Sequence, residues 1–125
     1  MKAATLAAIA AVALSAAPTA AVAMTVQEFL TTANRIPRNP TALLRSDTRL
    51  LMNETKAAFR TVRDDQVAAR AAGRPAATCI PEGTRISVSP DMVLARFNAI
   101  PPQRRNITVT QAVREWMAAE HPCPA

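Results

Sequence analysis

The sequence predicts an all-α fold, a small bundle of about four helices with one disulfide. Three observations favour it. Apolar residues recur at helical spacing, prolines separate these segments, and two cysteines bracket the last two of them. With residues 1–23 interpreted as a leader, residues 24–125 have the length of a single domain.

The first 23 residues have the layout of a secretory signal peptide. Lys2 provides the positive start, an alanine-rich apolar run follows, and Ala21-Val22-Ala23 has the small-x-small pattern that signal peptidase requires. The run is short for a bilayer span, which takes ~20 residues. Cleavage between Ala23 and Met24 is therefore favoured over a retained anchor, and we expect a periplasmic product that meets the membrane only through its leader.

Capping boxes predict helices at both ends of the remaining chain. Thr25 and Glu28 form one box, and Thr108 and Gln111 form the other. Two Xaa-Pro steps end the first helix, because the residue before proline disfavours helical geometry. Pro122 ends the last helix.

Two further helices are predicted between these. Ser46 is the expected N-cap of the longest, which runs from about residue 47 to 72. Its second half, residues 60–72, is polar and alanine-rich, so we expect it to project beyond the core or to rest on a partner. Ser89 is the N-cap of a shorter helix. Residues 85–88 alternate polar and apolar, but a single strand has no partner here, so coil is predicted.

The large apolar side chains are assigned to the core. Trp116 shares its helical phase with other apolar residues, which favours a buried anchor over an exposed binding residue. Met52, Met92 and Met117 also fall on apolar stripes and are expected to fill gaps in the core.

The two cysteines, Cys79 and Cys123, predict a disulfide. An even pair in an exported protein favours a bond over free thiols, and this bond would fasten the end of the last helix to the start of the preceding helical pair. A metal site is the weaker alternative, because His121 is the only histidine and paired ligand spacing is missing. No cofactor is predicted.

The basic charge is compatible with an acidic partner, whereas its distribution disfavours nucleic-acid binding. The net charge is +6, and thirteen of the fifteen basic residues are arginines spread along the chain. Four aromatic residues are too few for base-stacking platforms. Gln103, Arg104 and Arg105 contain the densest charge and form either a solvated turn or a contact for partner carboxylates. A homodimer is a further alternative.

Nothing in the sequence predicts an enzyme. A catalytic triad would have to use His121, at the end of the last helix, where a histidine more often interacts with the helix dipole. Asp64 and Asp65 point about 100° apart on a helix and do not converge; Asp64 is better interpreted as an i,i+4 surface partner of Arg60. Two glycines cannot form a phosphate-binding loop.

Residues 79–123 carry a family resemblance. The motifs are Cys79-Ile80-Pro81-Glu82-Gly83, a helix that ends near Ile100-Pro101, residues 109–116, and His121-Pro122-Cys123. This pattern resembles the C-terminal part of the Rap/Tai immunity proteins, which are small exported helical proteins. The resemblance implies a disulfide between the two cysteines and a protein-binding role, that of neutralising a peptidoglycan amidase effector delivered by type VI secretion.

Three functions are therefore open. The first is an immunity-like protein that occludes an effector. The second is a periplasmic acid-stress chaperone of the HdeA type, because acid would raise the positive charge further by neutralising the nine carboxylates. The third is an envelope protein whose basic surface binds anionic lipid or polysaccharide, in which case binding should weaken as salt is added.

Overall fold

The computed structural model describes residues 23–124, and these form four α-helices. The helices are α1, Val26–Asn34; α2, Ser46–Ala71; α3, Pro90–Asn98; and α4, Val109–Glu120. Short 3-10 turns occupy Pro40–Leu44 and Pro102–Arg104. No strand forms in this part of the chain, so the all-α prediction is confirmed. Apart from Ala23, the predicted leader lies outside the described residues.

The core forms where α1 and α4 pack against α2, and α3 packs against α1. Its most deeply buried side chains are Val26, Phe97, Val109, Val113 and Met117. Trp116 is 4% exposed, as predicted. Two edge-to-face aromatic pairs join the helices, Phe29 with Phe97 and Phe59 with Trp116, at centroid distances of 5.0 and 5.5 Å. Edge-to-face pairs stabilise the fold by more than the burial of their apolar surface alone.

The N-terminal ends of α1 and α4 are bonded to each other. The Val26 amide donates to the Ile107 carbonyl and the Val109 amide to the Met24 carbonyl, each at 2.9 Å. Thr25 makes both hydrogen bonds of its predicted capping box with Glu28. At the start of α4, the Thr108 hydroxyl accepts from the Gln111 amide, without the return bond of a full box.

The start of α2 differs from the prediction. Ser46 is the first helical residue, and Arg45 is the N-cap, without a side-chain capping bond. The reason is the 3-10 turn that ends at Leu44, which leaves one residue between the two helical segments. Asp47 compensates in the first helical turn through an ion pair with Arg45 at 3.1 Å.

The second half of α2 does not project beyond the core, so that part of the prediction was wrong; that this half rests on a partner stays a prediction. Val62, Gln66 and Ala69 are buried there, because α4 and the connection after α2 cover them. Arg114 of α4 donates to Asp65 at 2.8 Å across this contact.

Three other expectations about side chains were also wrong. Met52 and Met92 are 44% and 48% exposed, and of the three methionines assigned to gap-filling only Met117 is in the core. Met52 lies about 100° around α2 from the buried Leu51, so it faces away from the other helices. No ion pair between described residues joins Arg60 to Asp64.

The predicted Cys79–Cys123 disulfide is present. Its Cα atoms lie 4.9 Å apart, within the usual range for a disulfide. The Cys79 amide also donates to the His121 carbonyl at 2.9 Å. The bond therefore fixes the connection after α2 to the C-terminal end of α4.

Candidate functional site

One flank of α2 carries a row of basic and apolar residues, all exposed except the half-buried Arg63. Its members recur every three or four residues and fall within about 80° of arc at the 100° turn per helical residue. Over this span the helix rises ~31 Å. We call this row the basic stripe; it contains Arg49, Met52, Lys56, Arg60, Arg63, Val67 and Arg70.

The acidic residues of α2 lie on other flanks of the helix. They are Asp47, Glu54, Asp64 and Asp65, and none shares the arc of the stripe at 100° per residue. Two of these carboxylates already pair elsewhere, one with Arg45 and one with Arg114. Asp64 lies about 40° from Arg60, but no ion pair among the described residues joins a cation of the stripe to a carboxylate of its own helix.

Loop residues do little to neutralise the stripe either. Arg70 lies 4.0 Å from Glu82, whose side chain is 94% exposed, so the pair is weak. Arg63 donates to the Thr84 carbonyl. Lys56 and Arg60, both exposed, have no side-chain hydrogen bond or ion pair among the described residues. A cation without a partner is available to an incoming carboxylate.

A groove of about 480 Å³ lies between the stripe and the connection to α3. Phe59, Ile86 and Val88 provide its apolar surface and pack against the core. Lys56, Arg60, Arg63 and Arg85 also line it, and no carboxylate does. We call this the main groove; it combines an apolar floor with a positive rim.

A second groove of about 350 Å³ adjoins the first. Both are lined by Arg63 and Gly83, and the second continues past Val67 and Arg70 towards residues 80–82. The flank of α2 thus presents one extended recess with five of the chain's cations along or beside it, of which Arg85 comes from the facing connection.

Gln66 fixes residues 78–80 of the connection after α2, and Ile80 belongs to the wall of the second groove opposite the helix. Its side chain is buried, its Oε1 accepts from the Ile80 amide at 2.8 Å and from the Thr78 hydroxyl at 3.1 Å, and its Nε2 donates to the Ile80 carbonyl at 2.8 Å. Sequence reasoning missed this residue. The available signal was an amide at helical spacing from the apolar Val62 and Ala69, because a buried amide needs partners.

The predicted contact residues lie elsewhere. Gln103 and Arg104 belong to the 3-10 turn before α4, where Arg104 donates to Glu115 at 2.8 Å. Arg105 donates to the carbonyls of Ile100 at 3.0 Å and Asn98 at 3.1 Å, so it closes the end of α3. None of the three lines either groove. Their role as a partner contact stays a prediction.

Two features were not found within residues 23–124. This part of the chain contains no cluster of three or more His, Cys, Asp and Glu side chains. None of its helices combines the length and apolar character needed to cross a bilayer.

Comparison with known proteins gives no match from which a function can be inferred. No protein-family model matches it, and neither curated proteins nor solved structures give a significant match.

Proposed function

We propose that this chain is an exported, periplasmic protein-binding module that docks an acidic surface of its partner on the basic stripe of α2. The row of cations in the stripe carries the proposal, because Lys56 and Arg60 form no ion pair among the described residues. Complementary charge at an interface speeds association and selects the partner. The exposed Met52 and Val67 add apolar contact area between the cations, and Val67 is 65% exposed.

The partner class that we propose is a peptidoglycan amidase, which the protein would neutralise. The support is the resemblance of residues 79–123 to the Rap/Tai immunity proteins. We further propose that the chain is not itself an enzyme. In support, the only histidine of the sequence, His121, is the C-cap of α4, and its imidazole forms no hydrogen bond or ion pair with another side chain of the described residues, as a catalytic triad would require.

Reversing two charges in the middle of the stripe is expected to weaken partner binding at least about tenfold, since like charges placed opposite each other cost several kcal/mol. The variant is Lys56→Glu/Arg60→Glu. Its control is Arg35→Glu/Arg38→Glu, which changes the net charge equally at exposed positions after α1. Each protein serves as bait in periplasmic extract of its native host, and dissociation constants are then measured with the captured partner.

Three outcomes are informative. Equal loss in both variants would mean that net charge matters and the stripe does not. Unchanged binding in Lys56→Glu/Arg60→Glu would remove the stripe from the interface. If the captured protein does not cleave amide bonds in purified peptidoglycan, or cleaves equally fast when the chain is added, the immunity role is refuted while docking on the stripe stands.

A further inference from the structure

Residues 85–88 combine the alternating exposure of a strand with backbone groups that lack a partner. Their exposure alternates, with Arg85 and Ser87 exposed and Ile86 and Val88 half-buried. This period of two is that of extended backbone, whose successive side chains point to opposite faces. The backbone amides and carbonyls of these four residues make no hydrogen bond with another backbone group of the described chain.

Such a row of unpaired backbone groups can accept an added strand. In β-augmentation, an extended peptide pairs with an open edge through main-chain hydrogen bonds, and pockets for alternate side chains provide specificity. Here the main groove runs beside the open residues. Four residues of strand span ~13 Å, so the edge accommodates a short segment.

The lining of the main groove defines the chemistry of that segment. Phe59, Ile86 and Val88 form an apolar floor that suits an inward-pointing apolar side chain. Lys56, Arg60 and Arg85 surround it without a lining carboxylate. Carboxylates elsewhere in the segment would complement these cations.

The backbone edge favours a protein strand over other polyanions. An anionic lipid or polysaccharide would also be attracted to the cations. It has no amide and carbonyl groups at strand spacing, however, and would leave the edge of residues 85–88 unpaired.

We propose that residues 85–88 are a docking edge on which an extended, acidic segment of the partner protein pairs as a strand and places an apolar side chain in the main groove. The inference rests on the proposed function and specifies how the partner is held. It adds directional main-chain bonding to what would otherwise be attraction between opposite charges.

The test uses the purified protein with its disulfide intact and a capped peptide of four Val-Glu repeats. We expect binding by calorimetry, with NMR shift changes at the amides of residues 85–88. N-methylation of every peptide residue keeps the carboxylates but removes all backbone donors, and it should weaken binding at least about tenfold, the equivalent of ~1.4 kcal/mol. A Val-Lys peptide should not bind.

Each contrary result overturns the inference. Equal binding of the N-methylated peptide would mean that charge alone acts, which leaves the proposed function standing. Absence of shift changes at residues 85–88, or no binding of the Val-Glu peptide, would remove the docking edge. Phosphatidylglycerol vesicles that bind the protein as tightly as the peptide, and displace it, would identify a membrane-binding surface instead.

Discussion

Loss of the Cys79–Cys123 bond is expected to lower the free energy of unfolding by about 3 to 4 kcal/mol. The two cysteines are 44 residues apart, and closing a loop of this length restricts the unfolded chain by about 4 kcal/mol in the chain-entropy model, an upper estimate. A domain of this size has a total stability of ~5–15 kcal/mol. The bond therefore supplies a large share of it.

Urea unfolding of the parent and of Cys79→Ser/Cys123→Ser measures this effect. The control is the parent with reductant, which should match the double variant, while the double variant should not respond to reductant. Hydrogen exchange should rise first at residues 76–81 and at the end of α4, because the bond joins these segments. A loss of less than about 1 kcal/mol would show that packing alone holds them together.

Gln66→Leu is expected to destabilise the fold by about 3 kcal/mol. Leucine fills similar space but leaves the amide and carbonyl of Ile80 and the hydroxyl of Thr78 without their partner. A buried polar group that loses its hydrogen bond costs about 1–3 kcal/mol. The total for the three groups is reduced because the connection can move towards water, which then hydrates them.

The matched control is Gln111→Leu, at an exposed glutamine of α4 whose side chain makes no hydrogen bond within the described chain. A change within about 0.5 kcal/mol is expected there. Thermal and urea unfolding compare the two variants. If Gln66→Leu costs no more than Gln111→Leu, Gln66 does not hold the wall of the second groove.

The sequence predicted those features that depend on neighbouring residues. The helix ends follow from local capping and from proline, and Thr25 and Ser89 cap as expected. The disulfide followed from cysteine count and presumed export. Predictions failed where burial depends on residues that are distant in the sequence. Residues 60–72 resemble an unsupported helical extension, because the segments that cover them follow later in the chain.

The basic stripe was missed for a different reason. In the sequence, the most concentrated positive charge is the adjacent pair Arg104 and Arg105. The first of these pairs with Glu115 and the second with backbone carbonyls. The cations of the stripe are three to seven residues apart, and only helical geometry gathers them on one flank. The spacing of the stripe residues is visible in the sequence. The position of Arg85 and Ile86 opposite the stripe depends on the fold and is not.

Site-specific photo-crosslinking in the native host shows whether a partner protein binds at the basic stripe of α2. A photoreactive amino acid replaces either Val67, exposed within the basic stripe, or Ala57, exposed on another flank of the same helix. We expect one crosslinked partner from position 67, none from position 57, and loss of the product when Lys56→Glu/Arg60→Glu is added. The same partner crosslinked from position 57 and not from position 67 would contradict binding at the basic stripe.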